Sequence, residues 1–488
     1  MAYRQCPRRL WLEVHHPELR VDPAASAARF AVGDLVGALA RSLYDPEDNG
    51  VLIDVEGAGP EAGITATAET LERRVPIFEA GLEGGGARAF VDVLRPVRRG
   101  SQRSWELIEV KSSASLKGSH HDDLAIQTYV ALAAGLPLAA ARVAHIDTRF
   151  TYPGHDDYQG LLREIDLTSE VLSRRDEVAQ WVRAGQSIVA QVTPPEVATG
   201  WQCRSPYPCA YLRHCRSQEP PAKFPLHVLP RLQGELRRQA EAAGWRDLRE
   251  LPDERLSPLQ LRVKQQTLRD EIYFDRAGAA ADLHALPAPA VFLDFEAVQL
   301  AIPIWPGSHP YQMFPFQFSL HVLAADGSLT HHDYLDLSGA EPGRAFAEQL
   351  LAGVPGQGTI FVWNATFELA RIGELARRFA DLRPALTEMA GRVVDLLHIT
   401  ESRYYHPAQG GSWKLKRVLP TLPGSLDYGD LTGVQDGHLA MLAYVEAIQL
   451  DTLPERRAQL KQQLLDYCRL DTLALVHIWR FLAGVPEV

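Results

Sequence analysis

The chain has 488 residues, 46% of them apolar and 23% charged, and a formal net charge of -11. That length exceeds one hydrophobic core and fits two or three domains, and the composition excludes disordered, fibrous and membrane-embedded classes. No apolar run reaches the roughly eighteen residues of a membrane span, and Arg4, Arg8 and Arg9 precede no apolar stretch, so a cytoplasmic, reducing setting without membrane contact is expected.

Residues 1–222 read as one mixed α/β domain. The pattern predicts a helix over 29–44, strands at 90–97 and 105–110, and a helix over 122–134. Ser119 is the expected N-cap of that last helix, with Asp122 and Asp123 at its positive end. Another strand is expected within 138–152, and Glu219-Pro220-Pro221 marks a boundary. Residues 223–285 alternate charge, with Arg231, Arg237 and Arg238 set against Glu235 and Glu241, and are interrupted by Gly244, Pro252 and Pro258. They predict a solvated helical linker, or alternatively a small helical segment that binds the DNA backbone.

The pattern changes over 286–488. Residues 290–295 form a continuous apolar run that ends in acids, as in a buried strand. Strands at 314–323 and 330–335 flank the hairpin signal Asp326-Gly327. Helices over 344–351 and 365–379 enclose a strand at 359–363, and a long helix over 454–482 follows. Three antiparallel strands and then alternating helix and strand predict an RNase H-like layer architecture.

Two features of the first domain point to chemistry. Cys6 stands alone, whereas Cys203, Cys209 and Cys215 form a triplet spaced x5, x5. Four thiolates suit an iron–sulfur cluster or a zinc ion, and a reducing compartment favours either over disulfides. In Glu109-Val110-Lys111 the strand period of two puts Glu109 and Lys111 on one face and Val110 in the core. Asp92, on the strand before, can lie beside them. Two carboxylates suit Mg²⁺, which activates a bound water and stabilises transition-state charge. Lys111 would position the water or neutralise the scissile phosphate. Only seven of the 50 basic residues are lysines, so a retained lysine suggests a need for a compact ammonium. Composition alone yields about one acid-x-Lys match, so the weight of this one lies in its place at the end of an apolar strand.

The last domain repeats the logic. Asp294-Phe295-Glu296 places two carboxylates on one strand face, and Tyr467 and Asp471 share a face of the final helix at i,i+4. These carboxylates, with Glu368 as a fourth, can hold two divalent ions about 4 Å apart and clamp the attacking and leaving oxygens of a phosphoryl displacement.

The segment Cys6-Pro7-Arg8-Arg9-Leu10-Trp11-Leu12, the Asp92 strand, Glu109-Val110-Lys111, Gln127-Thr128-Tyr129 and the cysteine triplet occur in an order that resembles RecB-type PD-(D/E)xK nucleases with an iron–sulfur staple. That group includes the CRISPR-associated RecB-like exonucleases and the AddB nuclease domain. The resemblance covers roughly residues 1–220. It implies a restriction-endonuclease-like fold, a [4Fe–4S] cluster on Cys6, Cys203, Cys209 and Cys215, metal ligands Asp92 and Glu109, and catalytic roles for Lys111 and Gln127, with Tyr129 in support. Gly37 stands near the place where many members carry a metal-binding histidine.

Residues 286–488 resemble the DnaQ-like exonucleases of the DEDDy type. The matching positions are Asp294 and Glu296, Asn364-Ala365-Thr366-Phe367-Glu368, and Tyr467 with Asp471. Glu368 replaces the family's usual Asp. The resemblance implies metal ligation by Asp294, Glu296, Glu368 and Asp471, and catalysis by Tyr467. Asp395 is a candidate for support or for the missing Asp, and Lys414 and Lys416 for phosphate contact. The same fusion occurs in a bacterial family known only as a domain of unknown function, which this chain resembles.

The resulting expectation is a Mg²⁺- or Mn²⁺-dependent deoxyribonuclease with two modules. The second would be a 3′→5′ exonuclease, and DNA with single strands or free ends the substrate, with RNA left open. Repair, processing or defence would be its setting. Two rivals stand beside it: one module inactive and used for strand binding, or a zinc-stapled nucleic-acid-binding protein without catalysis. Cys468 reads as a core thiol, and His120-His121 as a solvated helix start.

Overall fold

The computed structural model describes residues 1–100, 102–424, 426 and 428–486. The protein is α/β with mixed sheets and divides into two units. One comprises Met1–Pro220 with Leu300–Gln312, the other Pro221–Gln299 with Met313–Val488. Among the described residues no helix is long and apolar enough to cross a membrane.

The first unit is built on six strands in sequential order: β1 (Val51–Leu52), β2 (Ile77–Gly84), β3 (Ala87–Arg99), β4 (Gln102–Lys111), β5 (Leu138–Ile146) and β6 (Leu162–Asp166). β1 pairs with β2 and β4 with β5 in parallel; the other pairs are antiparallel. Gly85 and Gly86, at φ 61° and 80°, make the tight β2–β3 turn, a geometry that a side chain at either position would oppose. The parallel β4–β5 pair requires a crossover, supplied by the helix Gly118–Ala133. Its Leu124, Ala125 and Val130 pack with Trp105 and Leu107 on one sheet face, while Phe78, Val93 and Ile108 form a second cluster. This helix starts earlier than the pattern predicts. Ser119 is not its cap; instead the Lys117 amide donates to His120 Nδ1 at 3.2 Å. His120 is therefore buried, not part of a solvated helix start.

The segment Leu300–Gln312 completes this unit. Ala301 joins Val36, Ile146 and Leu161 in an apolar cluster, and the Gly307 amide donates to the Tyr152 carbonyl at 2.7 Å. Tyr158 donates its hydroxyl to the Pro303 carbonyl at 3.2 Å.

In the second unit, β7 (Tyr273–Phe274) precedes a five-stranded sheet made of β8 (Ala290–Gln299), β9 (Met313–Leu323), β10 (Leu329–Leu335), β11 (Thr359–Val362) and β12 (Val393–Asp395). Their order is β10-β9-β8-β11-β12. β8, β9 and β10 are antiparallel, and β11 and β12 run parallel to β8. β7 pairs separately with β13 (Tyr404–Tyr405). The hairpin turn forms where Asp326-Gly327 predicts it, with Asp326 Oδ1 accepting from the Ser328 amide. The closing helix, Pro454–Ala483, packs on β8 and β9.

Residues 223–285 are not a solvated linker. Leu248, Leu251, Val263 and Leu283 are fully buried in the same core as Phe292, Phe361 and Leu475. Each such side chain contributes about 2 kcal/mol of apolar transfer, so burial outweighs the mixed-charge face that suggested a linker. Lys264 is buried too, donating to the Leu251 carbonyl and, at 2.7 Å, to Asp253. Gly411, at φ 71°, approaches Val228 so closely that a Cβ there would stand 1.5 Å from the Val228 carbonyl oxygen.

Candidate metal centres

In the first unit the β3–β4 ladder ends at Val93 and Ile108. Beyond it the Asp92 carboxylate takes the place of a strand carbonyl, accepting the Val110 amide at 2.6 Å. Glu109 is buried and faces the crossover helix, from which Gln127 donates to Glu109 Oε2 at 2.5 Å and to the Phe90 carbonyl at 3.0 Å. Lys111 donates to Glu109 Oε1 and, at 3.1 Å, to Asp123 Oδ2. Asp92, Glu109, Lys111 and Gln127 thus form one polar group, and Gln127 Oε1 is buried there without a partner. Tyr129 is engaged elsewhere, its hydroxyl donating to the Gly85 carbonyl at 3.1 Å.

Burial, then the Glu109 charge, raise the Asp92 pKa far above the usual carboxylate range, with Lys111 offsetting part of this. Burial opposes the charged form of Lys111, but Glu109 and Asp123 outweigh it and raise its pKa. Burial and Lys111 push His120 down to about 4, so its imidazole is neutral at neutral pH.

Sequence reasoning gave Asp123 only a helix-end role and missed Glu79 altogether. The Glu79/Asp92 pair is skipped in the β2–β3 ladder, and Glu79 sits in the left-handed region at φ 54°, within electrostatic reach of Asp92. Nothing in Phe78-Glu79-Ala80 signals this, because the departure from strand geometry is not a residue pattern.

The four thiols come together elsewhere in the unit. Cys6 precedes the helix Pro7–His15, Cys203 ends the turn Trp201–Cys203, and Cys215 lies in the helix Leu212–Ser217. The Cys209 amide donates to the Cys203 carbonyl at 2.8 Å. All four are buried and free, and with Tyr211 they line one small cavity. Burial pushes the Cys203 and Cys209 thiols up, and Cys215 to about 11, with the other thiols adding to the effect. Arg216 beside Cys203 and Arg8 beside Cys215 favour the thiolate forms.

In the second unit β8 presents Asp294 and Glu296 on one face, while Phe295 packs edge-on against Phe346 with ring centroids 5.0 Å apart. Tyr467 and Asp471 lie one turn apart on the closing helix. Asp294, Glu296 and Asp471 each offer an oxygen, and these lie within 4.8 Å of one another, the single group of three so close among the described residues. Glu368, in the first turn of the helix Thr366–Arg378, is 2% exposed, and its Oε2 has no partner.

These carboxylates repel one another in a dry place. Burial, then Asp471, raise the Asp294 pKa far above the usual range and push Glu296 up to about 8. Burial pushes Glu368 up to about 8, with Asp395 contributing. Burial lifts Asp471 only to about 6, because the Tyr428 hydroxyl, Lys416 and Tyr467 stabilise its charge.

Asp395 is not a substitute for the missing Asp. Its carboxylate accepts the amides of Asn364 (3.0 Å), Ala365 (3.2 Å) and Leu397 (3.0 Å). It thereby holds Asn364 at φ 69° and orients the helix that carries Glu368. Lys414 is exposed, whereas Lys416 reaches the site and stacks on Tyr428 and Tyr467. Tyr428, which no motif marked, donates its hydroxyl to Asp471 Oδ1. Cys468 is buried as expected, but it also points its sulfur at Asp294 Oδ2, 3.6 Å away.

A family model described as a domain of unknown function (DUF2779) matches residues 291–414. The match contains Asp294, Glu296, Glu368 and Asp395 and ends before Lys416, Tyr467 and Asp471. No curated protein and no solved structure matches the chain.

Proposed function

We propose that this protein is a metal-dependent nuclease with two centres, a RecB-like PD-(D/E)xK centre in the first unit and a DnaQ-like, DEDDy-type exonuclease centre in the second. The observation that carries the reading is the convergence of Asp294, Glu296 and Asp471 oxygens within 4.8 Å, beside a buried Glu368 oxygen without a partner. Like charges so close and so dry are costly unless a cation joins them, and an all-oxygen donor set suits Mg²⁺ or Mn²⁺. The sheet order β10-β9-β8-β11-β12, three strands antiparallel and two parallel, supports the RNase H-like assignment. In the first unit, the crossover between parallel β4 and β5 and the Asp92–Glu109–Lys111–Gln127 group support the restriction-endonuclease-like one.

When bound, the divalent ions would supply a nucleophile at neutral pH and neutralise charge on the phosphoryl group. Asp294, Glu296, Glu368 and Asp471 would hold them in one centre, Asp92 and Glu109 in the other. Tyr467, one turn from Asp471 on the same helix, would orient the attacking water, and Lys111 would meet the phosphate opposite Glu109. Gln127 fixes the Glu109 carboxylate.

Four buried free thiols around one cavity suit an iron–sulfur cluster, with zinc as the alternative. Cys6 and the triplet would hold such a cluster, with Arg8 and Arg216 balancing its charge. DNA with single strands or free ends is the proposed substrate, and repair, processing or defence the proposed setting, on fold analogy.

The test is cleavage of 3′- and 5′-end-labelled single strands with Mn²⁺ by the wild type, Glu109→Gln/Lys111→Met and Asp294→Asn/Glu296→Gln. The second pair should abolish 3′→5′ trimming and the first pair the remaining cleavage. Activity that survives both pairs together refutes the reading.

A further inference from the structure

Lys416 is one of only seven lysines among 50 basic residues, and it is half-buried. Its ammonium lies 4.7 Å from the Tyr428 ring centroid and 5.0 Å from that of Tyr467, and it donates to the Gln435 carbonyl. Tyr428 donates its hydroxyl to Asp471, and Tyr467 lies one helical turn before Asp471 on the closing helix. A full positive charge is thus clamped between two aromatic faces, each contact contributing about 0.5–2 kcal/mol, beside two of the three converging carboxylates. It acts electrostatically on Glu296 and on Asp471. A flat guanidinium would fill the space between the rings differently, which accounts for lysine here in an arginine-rich chain.

We propose that Lys416 is a working part of this centre: it shares Glu296 and Asp471 with the divalent ions and supplies the surplus positive charge that receives the scissile phosphodiester. The inference rests on the metal-centre reading above. Two divalent ions balance the four carboxylates and leave nothing for the incoming phosphodiester, whose single negative charge the Lys416 ammonium matches. The two roles have opposite signs. Removing Lys416 removes a charge that repels the metal, so the metal binds more tightly. The same change removes the charge that receives the phosphate, so cleavage slows. A lysine that only braced the fold would weaken both.

The test uses the full chain in a Glu109→Gln background, so that only the second centre reports. Mn²⁺ alone is titrated calorimetrically into the parent, Lys416→Met and Lys416→Arg, and 3′→5′ trimming of an end-labelled single strand is timed in parallel. Lys416→Met should bind Mn²⁺ about tenfold more tightly and cleave about 100-fold more slowly. Lys416→Arg should keep the parent's Mn²⁺ affinity and recover part of the rate, which also controls for folding. Unchanged or weaker Mn²⁺ binding by Lys416→Met, or unchanged cleavage, overturns the assignment and leaves the metal centre standing. A parent that binds no Mn²⁺ overturns both.

Discussion

Replacing Glu368 by Gln removes one ionisable group and barely changes its shape, so the variant isolates the cost of charge at a buried site. The folded-state pKa is about 8 against an ordinary 4.5. At low pH both states hold the proton and nothing is lost. As pH rises above 4.5 the unfolded chain releases it while the folded chain keeps it, so stability falls with rising pH until about 8. The penalty is about 2 kcal/mol at pH 6 and about 4 kcal/mol at pH 8. The additional 2 kcal/mol or so corresponds to roughly 4–8 °C in the melting temperature of a unit this size. Thermal unfolding in a chelator at both pH values should therefore show the wild type losing about that much more than Glu368→Gln. Asp294 and Glu296 titrate in both proteins, so the difference between the two reports Glu368. Adding Mn²⁺ at pH 8 should raise the wild type more than the variant. If the two melting curves shift in parallel with pH, Glu368 does not keep its proton and the cation-seeking character of the centre is refuted.

Asp395→Ala leaves the Asn364, Ala365 and Leu397 amides without an acceptor, and should cost about 2–3 kcal/mol in denaturant unfolding and slow trimming through misplacement of Glu368. Gly411→Ala drives a methyl into the Val228 carbonyl and should lower the second unit's stability by at least about 3 kcal/mol or prevent folding, read by circular dichroism. Cys203→Ser should abolish absorbance near 400 nm and bound iron together, while a colourless wild type that holds one zinc refutes the cluster. Mn²⁺ affinity should rise between pH 6 and 8, because metal displaces the protons that Glu296 and Glu368 hold up to about 8; a flat profile refutes that linkage.

Features tied to local periodicity were legible in the sequence. Strand alternation put Asp294 and Glu296 on one face, and helical spacing paired Tyr467 with Asp471. The hairpin at Asp326-Gly327 declared itself through turn chemistry. What stayed hidden depends on contacts distant in sequence. Tyr428 reaches Asp471 only because the fold brings a loop against the closing helix, and Lys416 gains its meaning from two rings more than ten residues away. Asp395 read as a spare ligand because a carboxylate's use is set by which amides surround it. The helices of 223–285 misled for a related reason: their charge pattern is real, but the apolar positions between the charges found a partner surface that the local pattern does not describe.

The chain passes between the two units three times, after Pro220, after Gln299 and after Gln312. The loop that joins β8 to β9 is therefore counted by both modules, as a connection in one and as packed interior in the other. Ending the chain at residue 220 would leave the first unit without Ala301 against Val36, Ile146 and Leu161. An insertion or deletion in that loop would alter the packing of the first unit and the β8–β9 connection of the second at once.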